Sequence, residues 1–226
     1  TVAVRVPAHP VALRLIEETG GPIAAPSANR FGRVSPTRAE DVLDDLAGRI
    51  DLVLDGGQTS IGVESSVVLA EGEKLFLLRP GGVSLEDLEA AAGPFGDQRS
   101  GGGAILSPGT LERHYAPRVP LFMFEGNPAD LALSDLDGIA VIALTDDRKG
   151  APEVIALSRE GDLREAAANL FRVLRGLESR KIRRALVLPL EERGLGRAIM
   201  DRLRRGASGT VKCLGNKLIY IDKVTH

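Results

Sequence analysis

The stretch "GPIAAPSANRFGRVSPTRAEDVLDDLAG" (Gly21–Gly48) holds three kinds of sequence in order. The apolar run "PIAAPS" reads as a short buried strand. The polar segment from Ala25 to Thr37 carries Ser27, Asn29, Ser35 and Thr37 together with two arginines. A helix follows from about residue 37 to 47 and stops at Gly48. Pro36 suits a first helical position, with Ser35 or Thr37 as the cap and Glu40 placed to close a capping box with Thr37. Strand, polar loop, helix is the unit of α/β architecture. The loop has two readings. Its hydroxyls and amide can cap a helix and stabilise a turn. They can equally receive an anion, because free N–H groups and the helix dipole favour negative charge at a helix start.

The same grammar extends in both directions. "TVAVRVP" (1–7) alternates like a strand, with Arg5 among valines. It opens on Thr1 rather than Met, as a strand already under way. "HPVALRLIEETGG" reads as an amphipathic helix with a glycine C-cap. "DLVLDGG" (51–57) reads as a strand into a turn. "ESSVVLAEGEKLFLLRPGG" reads as a hairpin around "EGEK", and "SLEDLEAAAG" as a helix capped by Ser84 with Asp87. Alternation puts Glu64 and Ser66 on one face and Ser65 on the other. Arg79 ends the second strand of this hairpin. It reads either as an anion clamp beside the serines or as half of a surface salt bridge with Glu64.

Residues 94–118 are rich in Gly and Pro and lack periodicity, as expected of a linker. Beyond them "GIAVIAL" (138–144), a helix over 162–178, "ALVLP" (185–189) and a basic helix over 195–205 restore β-α alternation. The domain expectation is therefore 1–93, a linker at 94–118, and a small α/β unit at 119–226. "KLIYIDKV" in the tail reads either as an edge strand or as an end with no place in the fold.

Composition narrows the functional classes. The 226 residues include 29 Lys and Arg against 31 Asp and Glu, giving a net charge of −2. That is not the balance of a polybasic nucleic-acid coat. The single cysteine, Cys213, allows no internal disulfide, and the three scattered histidines, His9, His114 and His226, have no metal-site spacing. No run is long enough to span a membrane, and no signal-peptide pattern is visible. A soluble cytoplasmic protein is the expectation. Arginines 180, 183, 184, 202, 204 and 205 with Lys181 form a basic cluster. It reads either as solvated helix faces or as an RNA-facing patch.

Taken in order, "TVAVRVPAHP", "APSANRFGRVSPT", "DLVLDGG", "GVESSVV" and "LLRPGGVSLEDL" resemble the YrdC-type domain. "SPGTLERHYAPRVPL" and "GLGRAIMDRLRRGAS" resemble the linker and C-terminal domain of the long-form threonylcarbamoyl-AMP synthases. The resemblance runs from residue 1 to about 208. It implies an α/β fold: a partial YrdC-type twisted sheet domain followed by a small Rossmann-like domain. It also implies an enzyme, a nucleotidyltransferase that makes threonylcarbamoyl-AMP and pyrophosphate from L-threonine, bicarbonate and ATP. Mg2+ would accompany the ATP, and a partner transferase would then modify the tRNA adenosine beside the anticodon. Carried over motif by motif, Arg5, Ala25 and Ser65 contact threonine. Thr1, Ser27, Asn29, Ser35 and Arg79 contact ATP, and His114 or Tyr115 closes the site. No side chain acts as a nucleophile. Ser66 stands where the family usually has threonine. The family's domain begins well before "TVAVR", and the Lys-x-Arg motif of that N-terminal part has no counterpart in the stretch that resembles the domain here, so a catalytically incomplete fragment is one expectation. Alternatives are a tRNA- or double-stranded-RNA-binding module and a carbamoyl-adenylate enzyme of the hydrogenase-maturation kind.

Overall fold

The computed structural model describes residues 2–96, 114–131, 136–146, 153–180, 182–215 and 217–223. The chain is mixed α/β with two sheets. The first is three-stranded, in the order β1-β2-β3, and is built from β1 (Val67–Glu71), β2 (Lys74–Arg79) and β3 (Phe95–Gly96). The hairpin β1–β2 turns at Gly72, whose φ of 60° is the left-handed conformation that glycine adopts without steric cost. Parallel β3 adds to β2, inside the segment expected to lack structure.

Around this sheet lie α1 (Pro10–Thr19), α2 (Ala39–Leu46) and α3 (Leu85–Ala92). Helix α1 ends as expected, at Gly20 with φ 69°. Helix α3 starts on Ser84, whose Oγ accepts from the Asp87 N–H. Helix α2 starts differently from the expected Thr37–Glu40 box. Asp41 Oδ2 accepts the backbone N–H groups of Thr37 at 2.9 Å and Arg38 at 3.2 Å, and the Thr37 hydroxyl at 3.2 Å. A carboxylate one residue later satisfies several orphan donors at once.

Three expected strands are not strands here. Residues 2–7, 22–27 and 51–56 have no ladder partner among the described residues. Val2, Val4 and Val6 are 83–85% exposed, and Leu52 is 75% exposed. Alternation gives a segment strand propensity, but only a hydrogen-bonded neighbour makes it part of a sheet.

The second sheet has the order β6-β5-β7-β4-β8-β9. It comprises β4 (Leu121–Phe124), β5 (Ile139–Ala143), β6 (Val154–Ala156), β7 (Arg184–Val187), β8 (Gly209–Leu214) and β9 (Lys217–Asp222). All neighbours are parallel except β8 and β9. The tail segment is thus an edge strand. The central strands are apolar throughout because both faces are covered. Leu121 and Met123 join one cluster with Ala140, Ile142, Ala185 and Val187. Phe122 and Phe124 join the other with Val141, Leu186 and Val211. Helices α4 (Leu163–Gly176) and α5 (Leu195–Gly206) pack on the first face.

That same face receives the rest of the chain. Val34, Val63 and Tyr115 belong to its core cluster. Gly62 lies so close to α4 that a Cβ there would sit 2.3 Å from the Ala167 carbonyl oxygen. Gly62→Ala is therefore expected to lower stability by about 1–3 kcal/mol, the usual cost of overpacking. Urea denaturation would show it as a lower midpoint with an unchanged slope.

Candidate functional site

The site is built where the first sheet, the loop before α2 and the segment after residue 113 meet α4 and α5. At its centre is Glu64, just before β1. One carboxylate oxygen accepts the Ser35 hydroxyl at 2.7 Å. The other accepts Nε of Arg202 at 2.9 Å. Arg202, on α5, is fully buried. Its Nη1 donates to the Pro80 carbonyl at 2.6 Å and to Asp201 at 2.9 Å. Burial pushes the Glu64 carboxyl up, but Arg202 and the Ser35 hydrogen bond outweigh it and hold the group below the ordinary glutamate value. An ionised carboxylate only accepts. Ser35 must therefore donate to Glu64, which leaves its oxygen lone pairs for any further partner.

Arg79 closes the back of the site. It is 8% exposed, and its Nη2 donates to the Ser65 carbonyl at 2.8 Å. Burial, followed by repulsion from Arg202, lowers its pKa. The surface salt bridge expected between Arg79 and Glu64 is not the pairing adopted. Glu64 is taken by an arginine from far along the chain instead. Ser65 itself faces outward, and its Oγ lies 3.5 Å from Nη1 of Arg5. The two residues expected to hold threonine are thus neighbours, although Arg5 sits on an unpaired extended segment. Gly81 permits the tight return of the chain after Arg79, since a Cβ there would lie 2.2 Å from the Ser66 nitrogen.

The loop expected to face the nucleotide divides. Ser27 and Ala25 are exposed. Asn29 staples its own turn, its amide donating to the carbonyls of Arg30 at 3.0 Å and Arg33 at 3.1 Å. Thr37 is committed to Asp41. Thr1 lies outside the described residues.

His114 and Tyr115 lie against α4 and α5, beside Arg202. Tyr115 is 1% exposed and stacks on Phe171 of α4, with ring centroids 5.5 Å apart. The Arg202 guanidinium lies 5.4 Å from the Tyr115 ring centroid, within cation–π range. Tyr115 has φ 64°, an uncommon conformation for a bulky residue. It is held by the hydrogen bond from the Ala116 N–H to Gly32 at 3.0 Å and by the close approach of Gly206. A Cβ on Gly206 would meet the Tyr115 carbonyl at 2.7 Å. His114 packs edge-on against Tyr115, with centroids 4.0 Å apart. Its Nδ1 is buried with no hydrogen-bond partner among the described residues. Burial lowers its pKa, and burial raises that of the Tyr115 hydroxyl.

Sequence reading missed Arg175 and the role of Arg202. Arg175 of α4 donates to the Val34 carbonyl at 2.6 Å and to Asp45 at 2.7 Å, fixing the loop from the other side. No spacing signal could reveal pairs separated by about 130–140 positions. The basic cluster of the second unit is mostly spent on partners of its own. Arg180 pairs with Glu153, Arg183 with Asp137, Arg204 with Glu192 and Arg205 with Asp201. Arg184 lies over the Tyr220 ring. Lys181 lies outside the described residues. Among the described residues no group of three or more His, Cys, Asp or Glu side chains could hold a metal ion, and no helix is long and apolar enough to cross a membrane.

Known proteins resemble the chain along nearly all its length. A family model of the threonylcarbamoyl-AMP synthase C-terminal domain matches residues 83–208. A second model, described as telomere recombination, matches residues 1–81. A threonylcarbamoyl-AMP synthase of Bacillus subtilis is 41% identical over 93% of this chain and 64% of that protein. One from Pyrococcus abyssi is 41% identical over 92% of this chain and 64% of that protein. A crystal structure of P. abyssi Sua5 complexed with L-threonine aligns with a TM-score of 0.79 at 38% identity, over 91% of this chain and 64% of that one. A P. abyssi Sua5 variant with alanines replacing a consecutive histidine and tyrosine aligns with a TM-score of 0.76 at 36% identity, over 91% of this chain and 62% of that one. The chain thus spans just under two thirds of the length of these relatives.

The half-buried His114 makes stability depend on pH. The folded-state pKa of His114 lies below the ordinary 6.5, so below that pH the unfolded chain binds more protons than the folded one. Stability is complete above the ordinary value and falls as pH drops toward the lowered one. Urea midpoints at about pH 7.5 and about pH 5 should differ less in His114→Asn than in the parent chain.

Proposed function

We propose, for a chain that belongs to the threonylcarbamoyl-AMP synthase family, that its site serves an L-threonylcarbamoyladenylate synthase, a nucleotidyltransferase of the cytoplasm. The observation that carries this reading is the juxtaposition of Arg5 with Ser65, and of Ser65 with the buried Arg79. It sets a carboxylate-binding pair against a second, desolvated cation. A relative from P. abyssi was crystallised with L-threonine, and another P. abyssi structure has alanines in place of a consecutive histidine and tyrosine, the same residue order as His114–Tyr115 here.

Arg5 and Ser65 take the threonine carboxylate, for which a planar guanidinium is suited. Ala25 lines that pocket. The amine condenses with bicarbonate, losing water, to give a carbamate. A carbamate oxygen attacks the α-phosphorus of ATP, the bond to the β-phosphate breaks, and pyrophosphate leaves. The chain supplies position and fixed charge rather than a nucleophile. Arg79 stabilises the phosphates, Ser27 and Ser35 meet the nucleotide on a loop that Asn29 shapes, and His114 with Tyr115 excludes water. By its motif alone, Thr1 is assigned to ATP as well. Mg2+ would neutralise the triphosphate, held by phosphate oxygens and water, since the described side chains form no cage for it. The product goes to a transferase that places the threonylcarbamoyl group on tRNA.

The test is release of pyrophosphate from ATP by the full-length protein. It should require both threonine and bicarbonate, with the adenylate identified by mass. Release indifferent to threonine would sink the proposal. Arg5→Ala, at an exposed position, should raise the KM for threonine about 30-fold, the loss of a charge-assisted pair, while the KM for ATP stays near the parent value.

A further inference from the structure

Arg202 is the most deeply buried charge among the described residues, at 0% exposure. It comes from α5, and besides its neighbour Asp201 it contacts Glu64, the Pro80 carbonyl and the Tyr115 ring, all from outside the second sheet and its helices. Its Nη2 is buried with no hydrogen-bond partner among the described residues. Attachment of the two units does not require this. A well-packed apolar pair of the same volume would hold them with no loss of stability. What an apolar pair could not do is orient a hydroxyl. Glu64 spends its second oxygen on Ser35, and Arg202 keeps that carboxylate charged.

The main chain around Glu64 is fixed by other means. The Gly82 N–H donates to the Glu64 carbonyl at 2.9 Å. The Val83 N–H donates to Ser66 Oγ at 3.2 Å, and Arg79 holds the Ser65 carbonyl at 2.8 Å. Removing Arg202 would therefore release the side chains of Glu64, Ser35 and Tyr115 and the Pro80 carbonyl, while Arg79 still holds the Ser65 carbonyl.

We infer that Arg202 is a positioning residue, through which the C-terminal unit sets the nucleotide wall of the site by way of Glu64, Ser35 and Tyr115. The inference rests on the nucleotide reading of that wall given above. It predicts a selective effect: affinity for ATP depends on Arg202, and affinity for threonine does not.

The experiment uses the full-length protein and three variants, Arg202→Met/Glu64→Leu, Arg202→Lys and Ser35→Ala. The double variant replaces the whole pair by apolar groups, so urea denaturation should show parental stability. Its KM for ATP should rise about tenfold, the worth of one oriented hydrogen bond. Its KM for threonine should stay within about twofold of the parent, a change too small to count as a lost contact. Arg202→Lys, which keeps a donor charge on Glu64, should recover most of the ATP affinity. Ser35→Ala, which leaves the ion pair and the fold intact, should show the same ATP-selective rise. A parental KM for ATP in either the double variant or Ser35→Ala overturns the inference, as does a joint rise of both KM values. A fall in kcat alone, with both KM values unchanged, also overturns it, because it marks a merely structural pair. Absence of threonine-dependent pyrophosphate release in the parent protein would instead remove the functional reading itself.

Discussion

Everything around the site leans on one buried ion pair, Glu64 with Arg202. Each partner would be costly to bury alone, since an uncompensated charge in a dry interior loses its hydration without recompense. Together they lie 2.9 Å apart, and Ser35, Pro80 and Asp201 supply further hydrogen-bond partners, while Arg202 Nη2 has none among the described residues. The pair holds the Glu64 carboxyl below its ordinary value, against the upward push of burial. It also makes the first sheet and α5 parts of one interior. Glu64 sits at the mouth of β1 and Pro80 at the end of β2, so a single guanidinium grips both ends of the hairpin.

Arg175 does similar work a short distance away, joining α4 to the loop before α2 through Val34 and to α2 itself through Asp45. The segment bearing His114 and Tyr115 is clamped between these contacts. Its tyrosine is wedged onto Phe171 and under Arg202, and the absence of a side chain at Gly206 lets its backbone approach α5. The arginines of the second unit therefore have two destinations. Two reach inward across the junction and shape the site. Arg180, Arg183 and Arg204 instead meet acidic partners on their own unit, and Arg197 reaches Glu86 of α3.

Much of the fold was legible. Helices α1, α3, α4 and α5 carry strong apolar periodicity, and glycine or a capping side chain marks several of their ends. The hairpin β1–β2 announced itself by its turn, and Arg79 by its position at the end of a six-residue run. The failures have physical causes. Strands β4 and β6 are four and three residues long, too short for periodicity to speak, although β4 lies at the heart of the sheet. The valines at 2, 4 and 6 alternate as a strand should, yet no neighbour pairs with them among the described residues. The Thr37–Glu40 box was plausible by spacing, but Asp41 has the better reach to the same N–H groups.

For the site, resemblance to a known family, motif by motif, is what grouped Arg5, Ser65, Ser35, Arg79 and the His114–Tyr115 pair as one set; the residues by themselves left capping and anion binding both open. The sequence alone also determined the α/β class and the aliphatic character of the core. It could not decide which charges meet. Glu64 has Arg79 within reach in sequence and chooses Arg202. That choice belongs to the packing of α5 against the hairpin, because which two charges share a dry interior is settled by tertiary contact, not by any pattern a single segment carries.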